Sequence, residues 1–134
     1  MGINCSNRVH NHTPVKEVVP RLDNEKYYTL PISFQTRTSG ERMTVDVGIW
    51  DVRPFNMTPL TPLVVVVHGT PGSSQNFEDI GRKLAGHDIR VVGFDFPGEG
   101  KSRLLRQDIY RLDHSTEGKY HMLTTVLDAL AITR

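Results

Sequence analysis

The sequence predicts an α/β fold in which an antiparallel hairpin is followed by parallel strands joined by a crossover helix. Three observations predict it. Residues 28–34 and 45–49 alternate apolar and polar side chains, the period-two signature of half-buried strands. Residues 63–67 form a continuous, β-branched apolar run, which suits a strand buried on both faces of a sheet. A helical apolar repeat and a second apolar run, residues 89–94, come directly after it. Strand, helix, strand at this spacing is a right-handed parallel crossover.

Residues 1–25 carry Asn, His, Pro and scattered charge with little periodicity; they read as a flexible N-terminal arm without a core of its own. His10 and His12 flank Asn11, and without a third ligand nearby they read as solvated imidazoles rather than a metal pair. In the first strand Tyr28, Leu30, Ile32 and Phe34 share a face, and Pro31 removes a ladder donor, which places the strand at a sheet edge. Thr38-Ser39-Gly40-Glu41 supplies turn chemistry. Val45, Val47 and Ile49 then alternate with Thr44, Asp46, Gly48 and Trp50 in the return strand. A proline-marked connector spans residues 53–62.

After the apolar run comes the turn His68-Gly69-Thr70-Pro71-Gly72-Ser73, and then a helix with Phe77, Ile80 and Leu84 at i, i+3 and i+7. Ser73 or Ser74 can cap it; Glu78 and Asp79 sit near its positive end, and Gly86 suits a left-handed exit. Residues 101–114 are irregular and rich in arginine (Arg103, Arg106, Arg111), a solvated stretch with room for a short surface helix. The last element is a helix over residues 116–132, capped by Ser115 or Thr116. Tyr120, Leu123, Leu127 and Leu130 share one face, with Met122, Val126 and Ala129 beside it.

Composition bounds the function. The 134 residues suffice for one domain or less, and 37% hydrophobic against 23% charged residues allow a packed core. Sixteen basic residues against fifteen acidic leave a formal charge of +1, which gives no basic surplus for nucleic acid. Cys5 is the single cysteine, so an internal disulfide framework and a multi-cysteine zinc site are excluded. No cofactor or metal is expected. The longest apolar run is residues 63–67, too short to span a bilayer, and no signal-peptide core is present. A cytoplasmic setting follows, and the sequons at Asn4, Asn11 and Asn56 then go unused. Met1-Gly2-Ile3-Asn4-Cys5-Ser6 fits the myristoylation pattern. Gly2 would carry the acyl chain and Cys5 a palmitate; one chain alone anchors only weakly, so membrane attachment needs the second. The alternative is a plain soluble arm.

Gly98-Glu99-Gly100-Lys101-Ser102 contains a GKS triplet. A phosphate-binding loop needs a further glycine five residues before the GK glycine, and that position is Asp95. The triplet reads instead as a tight turn at the carboxyl end of a strand.

The apolar run 63–67, the His68-Gly69-Thr70-Pro71-Gly72 turn and the later Asp95-Phe96-Pro97-Gly98-Glu99-Gly100-Lys101-Ser102 stretch together resemble the N-terminal part of the α/β-hydrolase fold. The resemblance covers residues 27–134 and is greatest to a nematode group of uncharacterised hydrolase-like proteins. It implies that the Thr70 backbone N–H is an oxyanion donor, with Gly69 giving the substrate room. It implies structural roles for His68, Pro71, Gly72, Asp95, Gly98 and Gly100, which shape the two loops. Acyl transfer builds negative charge on a carbonyl oxygen, and losing one fixed donor to that oxygen costs about 3 kcal/mol.

In that fold the nucleophile sits on a G-x-S-x-G elbow, followed by the acid and the histidine. No such elbow occurs in the 134 residues, and His87, His114 and His121 read as surface or helix-face residues. Residues 26–134 are thus expected to form a truncated hydrolase-like domain, the N-terminal portion of a serine-type ester or amide hydrolase. Such a domain takes a small carbonyl substrate only when completed. In the family's sheet order, the 63–67 strand would lie beside the missing nucleophile strand. Left as an edge, that strand invites pairing or self-association. The competing function is a non-catalytic interaction module that pairs through this edge.

Overall fold

The computed structural model describes residues 24–132. The acylation signal with Gly2 and Cys5, the His10/His12 pair and nearly all of the arm lie outside the described residues. The elements are β1 (Glu25–Gln35), β2 (Arg42–Val52), β3 (Leu63–Val66), a 3-10 turn (Ser74–Phe77), α1 (Glu78–Ala85), β4 (Arg90–Phe94), α2 (Arg106–Ile109) and α3 (Thr116–Ala129). They build one mixed sheet of order β1-β2-β4-β3. β2 pairs antiparallel with β1 and β4, and β3 pairs parallel with β4. The predicted hairpin and crossover are both present, and Pro31 lies on an outermost strand, where a lost ladder donor is tolerated.

The sheet is covered on both faces. On one, Ile32, Phe34, Val45, Val47, Ile49, Val92 and Phe94 pack with Met122 and Val126 of α3. On the other, Trp50, Val52 and Val91 pack with Ala85, Leu84 and Phe77. Burying each such large apolar side chain contributes about 1.5–3 kcal/mol, so the two layers outweigh any single polar contact in the fold. Charged pairs then fix the strand ends. Arg90 meets Asp51 through two bonds of 3.1 and 2.9 Å across β2 and β4. Buried Glu25 accepts from Trp50 Nε1 at 2.9 Å and from Arg82 Nε at 2.8 Å, which ties β1 to α1. A buried carboxylate is tolerated here because both of its oxygens are hydrogen-bonded.

Several elements depart from the expected pattern for identifiable reasons. Alternation in β2 stops at Gly48, beyond which every residue is buried, because β4 and α1 cover what would otherwise be the polar face. Trp50, expected on that face, is fully enclosed. In α1, Ile80 is 54% exposed. The inward position is Gly81, where a Cβ would stand 2.2 Å from Trp50 Cη2. The indole from the sheet fills the space that a helix side chain would otherwise take, so apolar periodicity pointed to the wrong face.

Gly86 is right-handed helical, and the left-handed residue is Asp88 at φ 61°, a residue type that tolerates that region. α3 is capped by Ser115, whose Oγ accepts from Gly118 N–H at 3.1 Å. Its buried line is Gly118, Met122, Val126 and Leu127, while Tyr120 points outward. The helix ends at Ala129 rather than Ile132. β3 is half-buried along its length rather than enclosed, because among the described residues it has a strand neighbour on one side only. No helix among the described residues is long and apolar enough to cross a membrane.

Candidate functional site

The parallel strands deliver two loops to the same end of the sheet, where β3 and β4 finish. The first is His68-Gly69-Thr70-Pro71-Gly72; the second runs from Asp95 to Ser102. Side chains from each loop fasten the other. His68 is 4% exposed. Its Nε2 accepts from the Phe96 backbone N–H at 3.0 Å, so Nδ1 carries the proton and donates to Gly69 O at 2.7 Å. Both ring nitrogens are therefore committed to main chain, and neither has a lone pair free to abstract a proton. The ring also packs edge-on against Phe96 at 5.1 Å.

Asp95 is 2% exposed and works as a hub. Its Oδ1 accepts from Ser74 N–H at 2.7 Å and its Oδ2 from Lys101 N–H at 2.9 Å. The first bond holds the turn after β3; the second closes the loop after β4. Gly100 must lack a side chain here, since at φ +52° its Cβ would lie 2.4 Å from Asp95 Oδ2. Ser102 completes the closure. Its hydroxyl donates to Asp95 O at 2.6 Å and accepts from Gly48 N–H at 2.9 Å. The GKS triplet is thus spent on the loop's own geometry, and the Lys101 ammonium sits 3.8 Å above the Tyr27 ring, a cation–π contact.

Thr70 stands at the exposed rim of this structure. Its hydroxyl donates to Glu99 Oε2 at 3.2 Å and accepts from the Lys119 ammonium. One residue is in this way tethered to the second loop and to α3. The Thr70 backbone N–H has no acceptor among the described residues, and a Cβ on Gly69 would meet nothing within 4 Å. A donor with open space beside it is the geometry an incoming oxygen needs. Beside it lies a small apolar pocket of about 270 Å³ between Val67, His68, Phe96, Lys119, Tyr120 and Leu123. Outward-facing Tyr120 walls this pocket rather than the core, and half-buried Leu123 lines it while packing against the core.

Of the residues singled out in the sequence, Gly69, Thr70, His68, Pro71, Gly72, Asp95, Gly98 and Gly100 fall together in the two loops. His87, His114 and His121 lie apart from them and are exposed. Sequence reasoning missed Lys119, Ser74 and the locking role of Ser102. Lys119 is 49 positions from Thr70, and no local pattern announces a contact of that separation. On the opposite face of the sheet, burial and donation to Glu78 push the Tyr27 phenol well above its usual range. That hydroxyl belongs to the ion network behind β1, while the Tyr27 ring meets the Lys101 ammonium of the second loop.

A family model described as the alpha/beta hydrolase fold matches residues 62–133, more than half of the chain. Among solved structures, the chain is similar to a highly thermostable carboxyl esterase from Bacillus coagulans determined in complex with glycerol, at 19% identity and a TM-score of 0.45. The match covers 79% of this chain and 34% of that one, so the chain spans about a third of the esterase's length. No curated protein matches the chain.

Proposed function

Because the chain belongs to the α/β-hydrolase fold family, we propose that it is the N-terminal, oxyanion-bearing portion of a serine-type ester or amide hydrolase, catalytically incomplete over these 134 residues. The observation that carries this reading is the tethered Thr70. Its hydroxyl is held beyond the end of β3 by Glu99 and Lys119 while its backbone N–H stays uncommitted among the described residues. A donor fixed before the reaction needs no reorganisation as charge develops on the carbonyl oxygen, an advantage of about 3 kcal/mol per donor. Gly69 leaves the approach open, and His68 holds the loop rather than moving protons, since main-chain groups occupy both of its ring nitrogens.

The nucleophile, acid and catalytic histidine must come from elements that these residues do not contain, because no G-x-S-x-G elbow occurs. A small carbonyl substrate binds only to the completed site, which calls on no cofactor, metal or nucleic acid. The setting is cytoplasmic, with weak membrane attachment if Gly2 and Cys5 are acylated. The test is turnover of a short-chain 4-nitrophenyl ester by the purified chain, together with labelling by a serine-directed fluorophosphonate. Neither turnover above buffer nor a labelled serine is expected. Robust turnover would overturn catalytic incompleteness. Reading the coding sequence beyond Arg134 for an in-frame G-x-S-x-G is the complementary check.

A second reading has its own observation. β3 has no strand neighbour on its outer side among the described residues, and Val67 beyond it is 42% exposed. An apolar edge of this kind adds a strand from a partner or a second copy, which would make the chain a non-catalytic interaction module. Sedimentation across a range of concentrations separates the two readings: concentration-dependent dimers support the module, and a persistent monomer argues against self-pairing.

A further inference from the structure

The end of the sheet away from the Thr70 loop carries an apolar surface of its own. β1, β3 and β4 begin there and β2 ends there, since Glu25 pairs with Val52 and Leu63 with Arg90. The connector from β2 to β3, residues 53–62, crosses this end. In it Phe55 and Leu60 are each 91% exposed and Met57 is 42% exposed. Apolar residues standing singly on a surface are ordinary, but three within six positions form a patch. No residue from Pro54 to Pro62 is charged, so nothing within that stretch opposes transfer to a less polar medium.

The tip of the connector also meets much of its own hydrogen-bonding demand. Thr58 N–H donates to Thr61 Oγ1 at 2.8 Å, and Thr61 N–H donates to Thr58 O at 3.1 Å. Leu60 N–H donates to Thr58 Oγ1 at 3.2 Å, while the prolines at 54, 59 and 62 have no N–H to satisfy. A backbone satisfied internally enters lipid at lower cost. At the base of the connector Arg53 and Arg90 both bond Asp51, at 3.2 and 2.9 Å. Two arginines on one carboxylate leave a single positive charge, so a surface contact here is mainly apolar.

Where the first residues of the chain join the fold indicates what covers this patch. Asn24 lies against the connector: its side-chain amide donates to Arg53 O at 2.8 Å, and its carbonyl accepts from Arg53 N–H at 3.3 Å. The sequence leading into Asn24 carries Gly2 and Cys5, the proposed acyl acceptors. That segment therefore enters the body of the protein beside the apolar connector. One acyl chain needs a second contact to hold a bilayer.

We propose that the 53–62 connector is a membrane-contact loop, in which Phe55, Met57 and Leu60 enter the headgroup–acyl boundary of a bilayer and give a singly acylated chain its second anchor. Docked in this way, the protein turns the opposite end of its sheet, with the Thr70 loop, toward water. The proposal rests on attachment through Gly2 only for the second-anchor role. The loop's own contact needs neither an acyl chain nor the hydrolase reading.

The test uses the full chain, unmodified and N-myristoylated, with phosphatidylcholine vesicles. Phe55→Trp places a fluorophore in the loop, against a constant background from enclosed Trp50. In both forms its emission is expected to shift to the blue, saturably with lipid, and to be quenched by brominated lipid tails. The double variant Phe55→Ser/Leu60→Ser alters two exposed side chains, so the fold is kept; in vesicle flotation it is expected to bind about tenfold more weakly than the parent in each form. Leu105→Ser, 66% exposed in the segment after the second loop, should bind like the parent. The unmodified form tests the loop by itself, so a failure of acylation at Gly2 is distinguished from a failure of the loop. The proposal is overturned by the absence of a blue shift, by the double variant binding like the parent, or by an equal loss in Leu105→Ser. It is also overturned if binding requires anionic lipid and vanishes in about 1 M salt. Self-association that the double variant abolishes, without vesicle binding, would make a second copy the occupant and overturn it too.

Discussion

Replacing Asp95 tests whether one carboxylate joins the two loops. Asp95→Ala removes both acceptors, leaving Ser74 N–H and Lys101 N–H without their partners at 2.7 and 2.9 Å. A hydrogen bond to a charged group contributes about 1.5–3 kcal/mol, and a buried donor left unpaired costs about 1–3 kcal/mol. Ser74 is 2% exposed, so water cannot replace its partner and that loss falls at the upper end. Lys101 lies at the surface, and its amide recovers part of its loss from solvent. Removing a buried carboxylate also relieves some desolvation. The sum is a destabilisation of about 3–5 kcal/mol for Asp95→Ala.

Asp95→Asn keeps an acceptor for Ser74 but turns an NH₂ group toward the Lys101 N–H, which gives about 2 kcal/mol by the same reasoning. Equilibrium unfolding in urea, followed by the fluorescence of the single tryptophan, reads both variants. The expected order of stability is parent, then Asn, then Ala. The reasoning is refuted if both variants lie within about 0.5 kcal/mol of the parent, the scatter of neutral surface changes, or if Ala is more stable than Asn.

Two further predictions concern the other face of the sheet. Gly81→Ala sets a methyl group 2.2 Å from the Trp50 ring; the overpacking cost of about 1–3 kcal/mol exceeds the gain in helix propensity of about 1 kcal/mol. A net loss is therefore expected in thermal unfolding, and an unchanged or raised midpoint would contradict the helix-to-indole contact. The raised pKa of the Tyr27 phenol comes first from burial and then from donation to Glu78. The native state thus favours the neutral phenol: its contribution is intact below the ordinary phenol range near pH 10 and is lost as pH rises above it. Tyr27→Phe should lose less stability than the parent chain between about pH 9 and about pH 11, and identical alkaline slopes would sink that assignment.

Local chemistry made most of the sheet legible. Pro31 indicated an edge, period two placed Val45, Val47 and Ile49 on one face, and the two loop motifs put Thr70 and Asp95 at strand ends. What escaped was set by tertiary packing. Trp50 looked like a polar-face residue because alternation cannot report that α1 will cover that face. Ile80 looked buried because a helical repeat counts side chains and cannot count the indole that takes the place of one at Gly81. Tyr120 was assigned to the core face of α3, yet it walls the pocket next to Thr70. Lys119 and Glu99 were unreadable as partners of Thr70 because side-chain contacts between distant segments leave no mark on spacing.

The edge of β3, without a strand neighbour on its outer side among the described residues, and the proposed place of a nucleophile strand beside the Thr70 loop can be tested most directly by residue-resolved hydrogen exchange. Arg90 N–H donates to Pro62 O at 2.9 Å. In a parallel ladder with this register, Val64 and Val66 then turn their N–H groups toward β4, while Leu63, Val65 and Val67 turn theirs away. Slow exchange at Val64 and Val66 with fast exchange at Val65 and Val67 is the predicted result. Protection at Val65 and Val67 as strong as that at Val92 would show the edge already covered by a strand, and would contradict an open position for the nucleophile strand.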